Sequence, residues 1–155
     1  MALEILLVRS VEDVEGVRVL FREYAQSLGI DLGYQGFDDE LRTLPGAYAS
    51  PQGRLFIAID SGRAAGCVAL RPLAAGTAEM KRLYVRPEFQ GRGLGRSLAE
   101  AVIREAKVIG YPTLLLDTLP TMRGAIRLYE SLGFVRRSAY FETPVEGNVF
   151  MELTL

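Results

Sequence analysis

Apolar and polar positions along the chain fall into short alternating runs and longer runs with a period of three to four. Leu3 to Val8 reads as a first strand. Val14, Val17, Leu20, Phe21, Tyr24 and Leu28 then recur at three- and four-residue spacing, the pattern of a helix with one apolar stripe. Ser10 supplies an N-cap, Glu12, Asp13 and Glu15 suit the positive end of the helix dipole, and Gly29 ends the helix. After an irregular stretch from Asp31 to Phe37, a short helix is predicted from Asp38 to Leu44, broken by Pro45-Gly46. Leu55 to Asp60 and Ala64 to Leu70 read as strands joined by a tight Ser61-Gly62 turn. Ala75-Gly76 turns the chain into a third strand, Thr77 to Val85, which completes an antiparallel meander.

The second half alternates helix and strand. A helix is predicted from Gly93 or Leu94 to about Ile109, with Leu98, Val102, Ile103 and Ala106 inward and Gly110 at its end. Leu114-Leu115-Leu116 is a continuous apolar run, as expected of a central strand covered on both faces. A strand, a crossover helix and this strand place the two strands parallel, with a right-handed connection. A further helix through Ala125 to Leu132 ends at Gly133, and Phe134 opens another strand. Thr143 to Asn148 reads as a loop before a last strand, Val149 to Leu153. The expected fold class is α/β, a mixed sheet with helices on both faces, as a single domain over residues 1–155.

Composition narrows the chemistry. With 155 residues and 49% hydrophobic content the chain can build an ample core. A net charge of −1 argues against an extended nucleic-acid or membrane surface. The start of the chain lacks a basic, apolar leader and no run is long enough to span a membrane, so a cytoplasmic protein is expected. The single cysteine, Cys67, rules out an internal disulfide framework and suits a reducing compartment. There is no histidine, so a general base must be a carboxylate, a tyrosine, a lysine or a water chain, and histidine-based metal sites are excluded.

The chemistry concentrates where the third strand of the meander runs into glycine. Leu83-Tyr84-Val85-Arg86-Pro87 closes the strand, and Gln90-Gly91-Arg92-Gly93-Leu94-Gly95-Arg96-Ser97 follows as a glycine-rich loop and helix start. Alternating glycines let backbone N–H groups converge on one anion, and the helix adds its own unpaired N–H groups and positive dipole end. This is a phosphate or pyrophosphate site. A Walker loop would end Gly-Lys-Ser/Thr, whereas Arg96-Ser97 follows Gly95. A dinucleotide fingerprint would be G-x-G-x-x-G directly after the strand; here it is G-x-G-x-G after five intervening residues. Asp117 stands about where a ribose-binding acid would, which keeps that alternative open.

The order Gln-x-x-Gly-x-Gly after Leu-Tyr-Val-x-Pro resembles the acetyl-CoA loop of the GNAT superfamily of N-acetyltransferases, and the resemblance extends from about Phe56 to Phe134. A second stretch, Ala125-Ile126-Arg127-Leu128-Tyr129-Glu130-Ser131-Leu132-Gly133-Phe134, is also similar to that family. The resemblance implies a mostly antiparallel sheet with one parallel strand pair and acetyl-CoA as cosubstrate, with no metal. It implies that amides of residues 90–97 hold the CoA pyrophosphate, that Leu83, Tyr84 and Val85 pair with the pantetheine arm, and that an N–H near Val85 polarises the thioester carbonyl. Arg86, Arg92 and Arg96 are candidates to neutralise CoA phosphates. Tyr129 is implied as the general acid that serves the departing thiolate.

For the base, Glu79 is expected, on the same strand face as Lys81, Leu83 and Val85 by simple alternation. Tyr24, Tyr34, Gln35, Phe37 and Tyr48 are candidates to line the acceptor pocket. Cys67 reads as a core thiol, which favours direct transfer in a ternary complex over an acyl-enzyme. The implied acceptor is a primary amine on a small molecule or peptide, and dimers common in the family make a homodimer possible. In the position where the family often has a cofactor-contacting asparagine stands Met122. That departure favours the alternative of a CoA-binding regulatory module with weak catalysis.

Overall fold

The computed structural model describes residues 3–74 and 76–155; the turn expected at Ala75 lies outside the described residues. In chain order the elements are β1 (Leu3–Leu7), α1 (Val11–Leu28), α2 (Phe37–Thr43), β2 (Arg54–Asp60), β3 (Arg63–Pro72) and β4 (Thr77–Val85). They continue with α3 (Leu94–Ile109), β5 (Thr113–Thr118), α4 (Arg123–Ser131), β6 (Val135–Arg137) and β7 (Val149–Thr154). Short 3₁₀ turns occupy Leu32–Gln35, Gly46–Tyr48 and Pro87–Phe89. Among the described residues the strands form one seven-stranded sheet in the order β1-β2-β3-β4-β5-β7-β6. Only β4 and β5 pair in parallel, joined across α3.

Local chemistry accounts for the boundaries. Ser10 accepts from the Asp13 amide at 3.0 Å and so satisfies one unpaired donor at the start of α1. Gly29 closes that helix in the left-handed region at φ 69°. The irregular stretch after it condenses into the Leu32–Gln35 turn because Asp31 caps it, accepting from the Gly33 amide at 2.7 Å.

The sheet is covered on both faces. On one, α3 buries Leu98, Ala99, Val102 and Ala106 against Val68, Leu70 and Met80, and α4 adds Ile126 and Tyr129. On the other, α1 buries Val17, Leu20 and Phe21 against Leu55, Ile57, Cys67 and Ala69. Each of the fully buried Leu or Phe side chains contributes about 1.5–3 kcal/mol of hydrophobic stabilisation.

The register of β4 departs from simple alternation. Ala69 pairs with Lys81 but Cys67 pairs with Tyr84, so Arg82 and Leu83 together face Val68. This is a β-bulge, and Arg82 adopts the left-handed region at φ 62°. The extra residue reverses the alternation. Lys81 reaches Gln35 of the Leu32–Gln35 turn and Glu79, two residues before it, shares that face, whereas Leu83 and Val85 pack with the α3 side. The expectation that all four share one face is therefore corrected.

The parallel pairing of β4 with β5 covers only Thr77–Glu79 against Thr113–Leu115. Beyond that point the strands part, and among the described residues the edge of β4 from Met80 to Val85 has no ladder partner on the β5 side. β5 instead keeps its full pairing with β7, from Thr113–Thr154 to Thr118–Val149.

Candidate active site

The parting of β4 from β5 opens a cavity between α1, the Leu32–Gln35 turn and α4. Lys81, Arg82, Asp117, Tyr24, Met122 and Tyr129 are among its lining residues. Tyr129 reaches it from the α3 side and is only 7% exposed. Its ring packs edge-on to Phe134 at 5.8 Å, while its hydroxyl has no hydrogen-bond partner among the described residues. The phenol is protonated at neutral pH, and burial raises its pKa further and holds that proton more tightly.

Asp117 borders the same cavity from β5. One carboxylate oxygen accepts from Asn148 Nδ2 at 3.0 Å. Desolvation raises its pKa, opposed by that hydrogen bond and by the charge of Lys81. Sequence reasoning met this residue only as a ribose ligand. The signal for a different role was present: an acid at the end of an otherwise apolar central strand.

Glu79 is buried at 1% exposure and is not among the cavity-lining residues. Arg71 Nε donates to Oε1 at 2.8 Å and the Tyr140 hydroxyl donates to Oε2 at 2.6 Å, so both oxygens are engaged. Arg82 is not a partner: it binds Glu40. Tyr140 comes from the irregular segment between β6 and β7. That segment thus touches both strand carboxylates, through Tyr140 and through Asn148.

At the end of β4 the chain forms a cradle. Gln90 donates from Nε2 to the Val85 carbonyl at 3.1 Å and fixes the loop against the strand end. Gly91 and Gly93 sit at φ 80° and 78°, and a Cβ added to either would enter open space. No backbone carbonyl among the described residues accepts from the amides of Gly91 through Arg96. Gly93 is the N-cap of α3, so these unspent donors lie at the positive end of a sixteen-residue helix. Leu94 is buried and contributes its amide alone, and the Ser97 amide is already spent on the Gly93 carbonyl at 3.1 Å.

The arginines divide. Arg86 is held by Glu23, at 3.0 and 2.7 Å, and also donates to the Ala64 carbonyl at 3.1 Å. Arg92 and Arg96 are both exposed at the loop, bound to Asp60 at 3.0 Å and Ser131 at 2.5 Å. Unspent amides, the helix terminus and a free strand edge fit a ligand with a pyrophosphate and an extended amide-bearing arm. The Tyr84 side chain points away from that edge, toward Glu23, and leaves only its backbone there.

The acceptor-side aromatics also divide. Tyr24, Tyr34 and Gln35 line the cavity, whereas Phe37 packs under the Arg82 guanidinium at 5.1 Å and Tyr48 packs against Phe21. Cys67 is fully buried, and burial pushes its thiol well above the usual range, so it is a core residue.

The comparisons with known proteins agree with this geometry. The Acetyltransferase (GNAT) family profile matches residues 18–134. An uncharacterized N-acetyltransferase of Schizosaccharomyces pombe is 40% identical over 155 residues, covering 99% of this chain and 95% of the relative. Another from Dictyostelium discoideum is 30% identical, covering 96% and 98%. In structure, PaiA N-acetyltransferase from Thermoplasma acidophilum, solved in complex with coenzyme A, superposes with a TM-score of 0.79 at 20% identity, over 100% of both chains. That last likeness speaks to the fold; the sequence matches go further, and on them the chain belongs to the GNAT family of acetyltransferases.

Proposed function

We propose that the protein transfers an acetyl group from acetyl-CoA to a primary amine, by direct attack within a ternary complex. One observation carries the reading. The unspent amides at the start of α3 and the unpaired edge of β4 lead to the cavity that Tyr129 and Asp117 border. Bound acetyl-CoA supplies the activated acyl group as a thioester.

The residues of the chain divide the remaining work. Amides of Gly91, Arg92, Gly93, Leu94, Gly95 and Arg96 hold the pyrophosphate, and the β4 edge from Leu83 to Val85 orients the pantetheine arm. Tyr129 gives its proton to the departing sulfur. Of the two carboxylates on the acceptor face, Asp117 borders the cavity and has only one oxygen engaged, so the base role falls to it rather than to Glu79. Its raised pKa suits removal of a proton from an arriving ammonium. Glu79 positions Tyr140 and Arg71. The buried Cys67 offers no nucleophile, which favours direct transfer.

The test is a panel of primary amines followed by thiol release from acetyl-CoA, with the product identified by mass. Stoichiometric thiol and N-acetylated amine are expected with at least one class of acceptor. Thiol release that no amine accelerates would count against acetyl transfer.

A further inference from the structure

Lys81 is a buried cation with too few partners. Its side chain is 5% exposed, and an ammonium has three donors to place. One reaches Gln35 Oε1 at 3.1 Å, an oxygen that Arg82 Nη1 also uses at 2.9 Å. Among the described residues the only carboxylate within 4 Å is Glu79, whose Oε1 lies 3.9 Å away and already accepts from Arg71. Arg71 and Arg82 each hold a carboxylate at 2.8–2.9 Å; among the described residues Lys81 has only the long contact to Glu79. A buried charge that pairs this poorly is costly to folding, unless a ligand completes it.

What completes it is indicated by what stands across the cavity. Glu79 pairs with Leu115, and Lys81 and Asp117 each lie two residues further along their strands, on the same sheet face. There the strands have parted, and both residues border the cavity that Tyr129 also lines. The cavity therefore has one under-partnered cation and one proton acceptor in its lining. A plain amine would meet Asp117 and leave Lys81 unsatisfied. A peptide N-terminus would offer Lys81 only a neutral carbonyl. A molecule with a carboxylate close to its amine satisfies both.

We propose that the acceptor is an amino acid or a close amino-carboxylate, and that Lys81 binds its carboxylate while Asp117 faces its amine. This rests on the acetyl-transfer reading above.

The experiment compares free amino acids with their carboxamides and with the matching decarboxylated amines, as acceptors for acetyl-CoA. The wild-type protein should prefer the acid by about tenfold to a hundredfold in kcat/KM, the range expected for losing a hydrogen bond to a charged group. In Lys81→Met the ratio of acid to amide should fall to about one, and in Lys81→Arg part of the preference should return. Acetyl-CoA should still raise the Tm of Lys81→Met, which shows that the variant is folded. Equal wild-type rates on acid and amide would overturn the proposal without any variant. So would a Lys81→Met loss that is the same on both.

If the wild-type protein acetylates no amine at all, the acetyl-transfer reading fails and binding decides the carboxylate site. Calorimetry on the CoA-loaded protein would then compare N-acetyl amino acids with N-acetyl amino amides. Binding of the acid by the wild type and not by Lys81→Met would keep the site, and no binding of the acid would remove it.

Discussion

Arg82 and Glu40 grip each other through two parallel hydrogen bonds, Nε to Oε2 at 2.8 Å and Nη2 to Oε1 at 2.9 Å. The pair ties the bulge of β4 to α2, and Arg82 lies also over the rings of Phe37 and Tyr24. A non-glycine residue in the left-handed region costs energy, of order 1–3 kcal/mol, and persists where its surroundings over-determine it. Here the guanidinium clamp does so. The bulge that it holds sends Lys81 to the α1 side of the sheet and Leu83 to the opposite face.

Removing one member of that pair leaves a charge buried. Glu40→Ala should destabilise the protein by about 3–5 kcal/mol. At roughly 2–4 °C per kcal/mol for a chain of this size, the Tm should drop on the order of 10 °C. Scanning calorimetry of the variant is the check, and a Tm within about 2 °C of wild type, well below that drop, would contradict the clamp.

Gly93→Val should cost most of the CoA affinity. Its φ of 78° is unfavourable for a β-branched residue, and the new side chain would point into the open cradle rather than into protein. The fold should survive because the loop is exposed. Calorimetric titration of CoA into the folded variant measures this, and unchanged affinity would take the loop out of the site.

Asp117→Asn separates catalysis from stability. The ionised carboxylate is needed as base, so kcat/KM should fall with pH through a value above the usual aspartate range of about 3.9. The variant should lose that limb and about 10²–10⁴ in rate. Stability should move the other way. A carboxyl whose folded pKa is raised contributes stability below its unfolded value and loses it as pH rises through the folded one. At neutral pH the ionised group is a cost, so the variant's Tm should hold or rise. A folded variant with wild-type pH dependence would exclude Asp117 as the base.

Much of this architecture was legible in the chain. Ser10, Gly29 and Gly110 announce helix ends because caps act locally, and the alternation of the meander follows from one side of each strand meeting a core. The bulge was not legible. Nothing in Met80-Lys81-Arg82-Leu83 marks an extra residue, because the conformation of Arg82 depends on Glu40 and Gln35, more than forty positions away. The same distance hid the engagement of Glu79, since Tyr140 arrives from 61 positions downstream. The glycine cradle was readable because its unspent donors are backbone amides, which sequence spacing fixes. Asp117 was visible as a residue but not as a site, since only the parting of β4 from β5 brings it to Tyr129's cavity.

The central claim is that Tyr129 protonates the sulfur that leaves, and Tyr129→Phe tests it most directly. The change deletes one hydroxyl that has no partner among the described residues, so folding and CoA affinity should be nearly unchanged. Turnover should fall on the order of tenfold to a thousandfold if proton delivery limits the rate. The measurement is steady-state thiol release, with calorimetric CoA binding on the same preparation. A folded variant that binds CoA as wild type does and turns over poorly is the predicted result; one with wild-type turnover on a true acceptor would contradict the account.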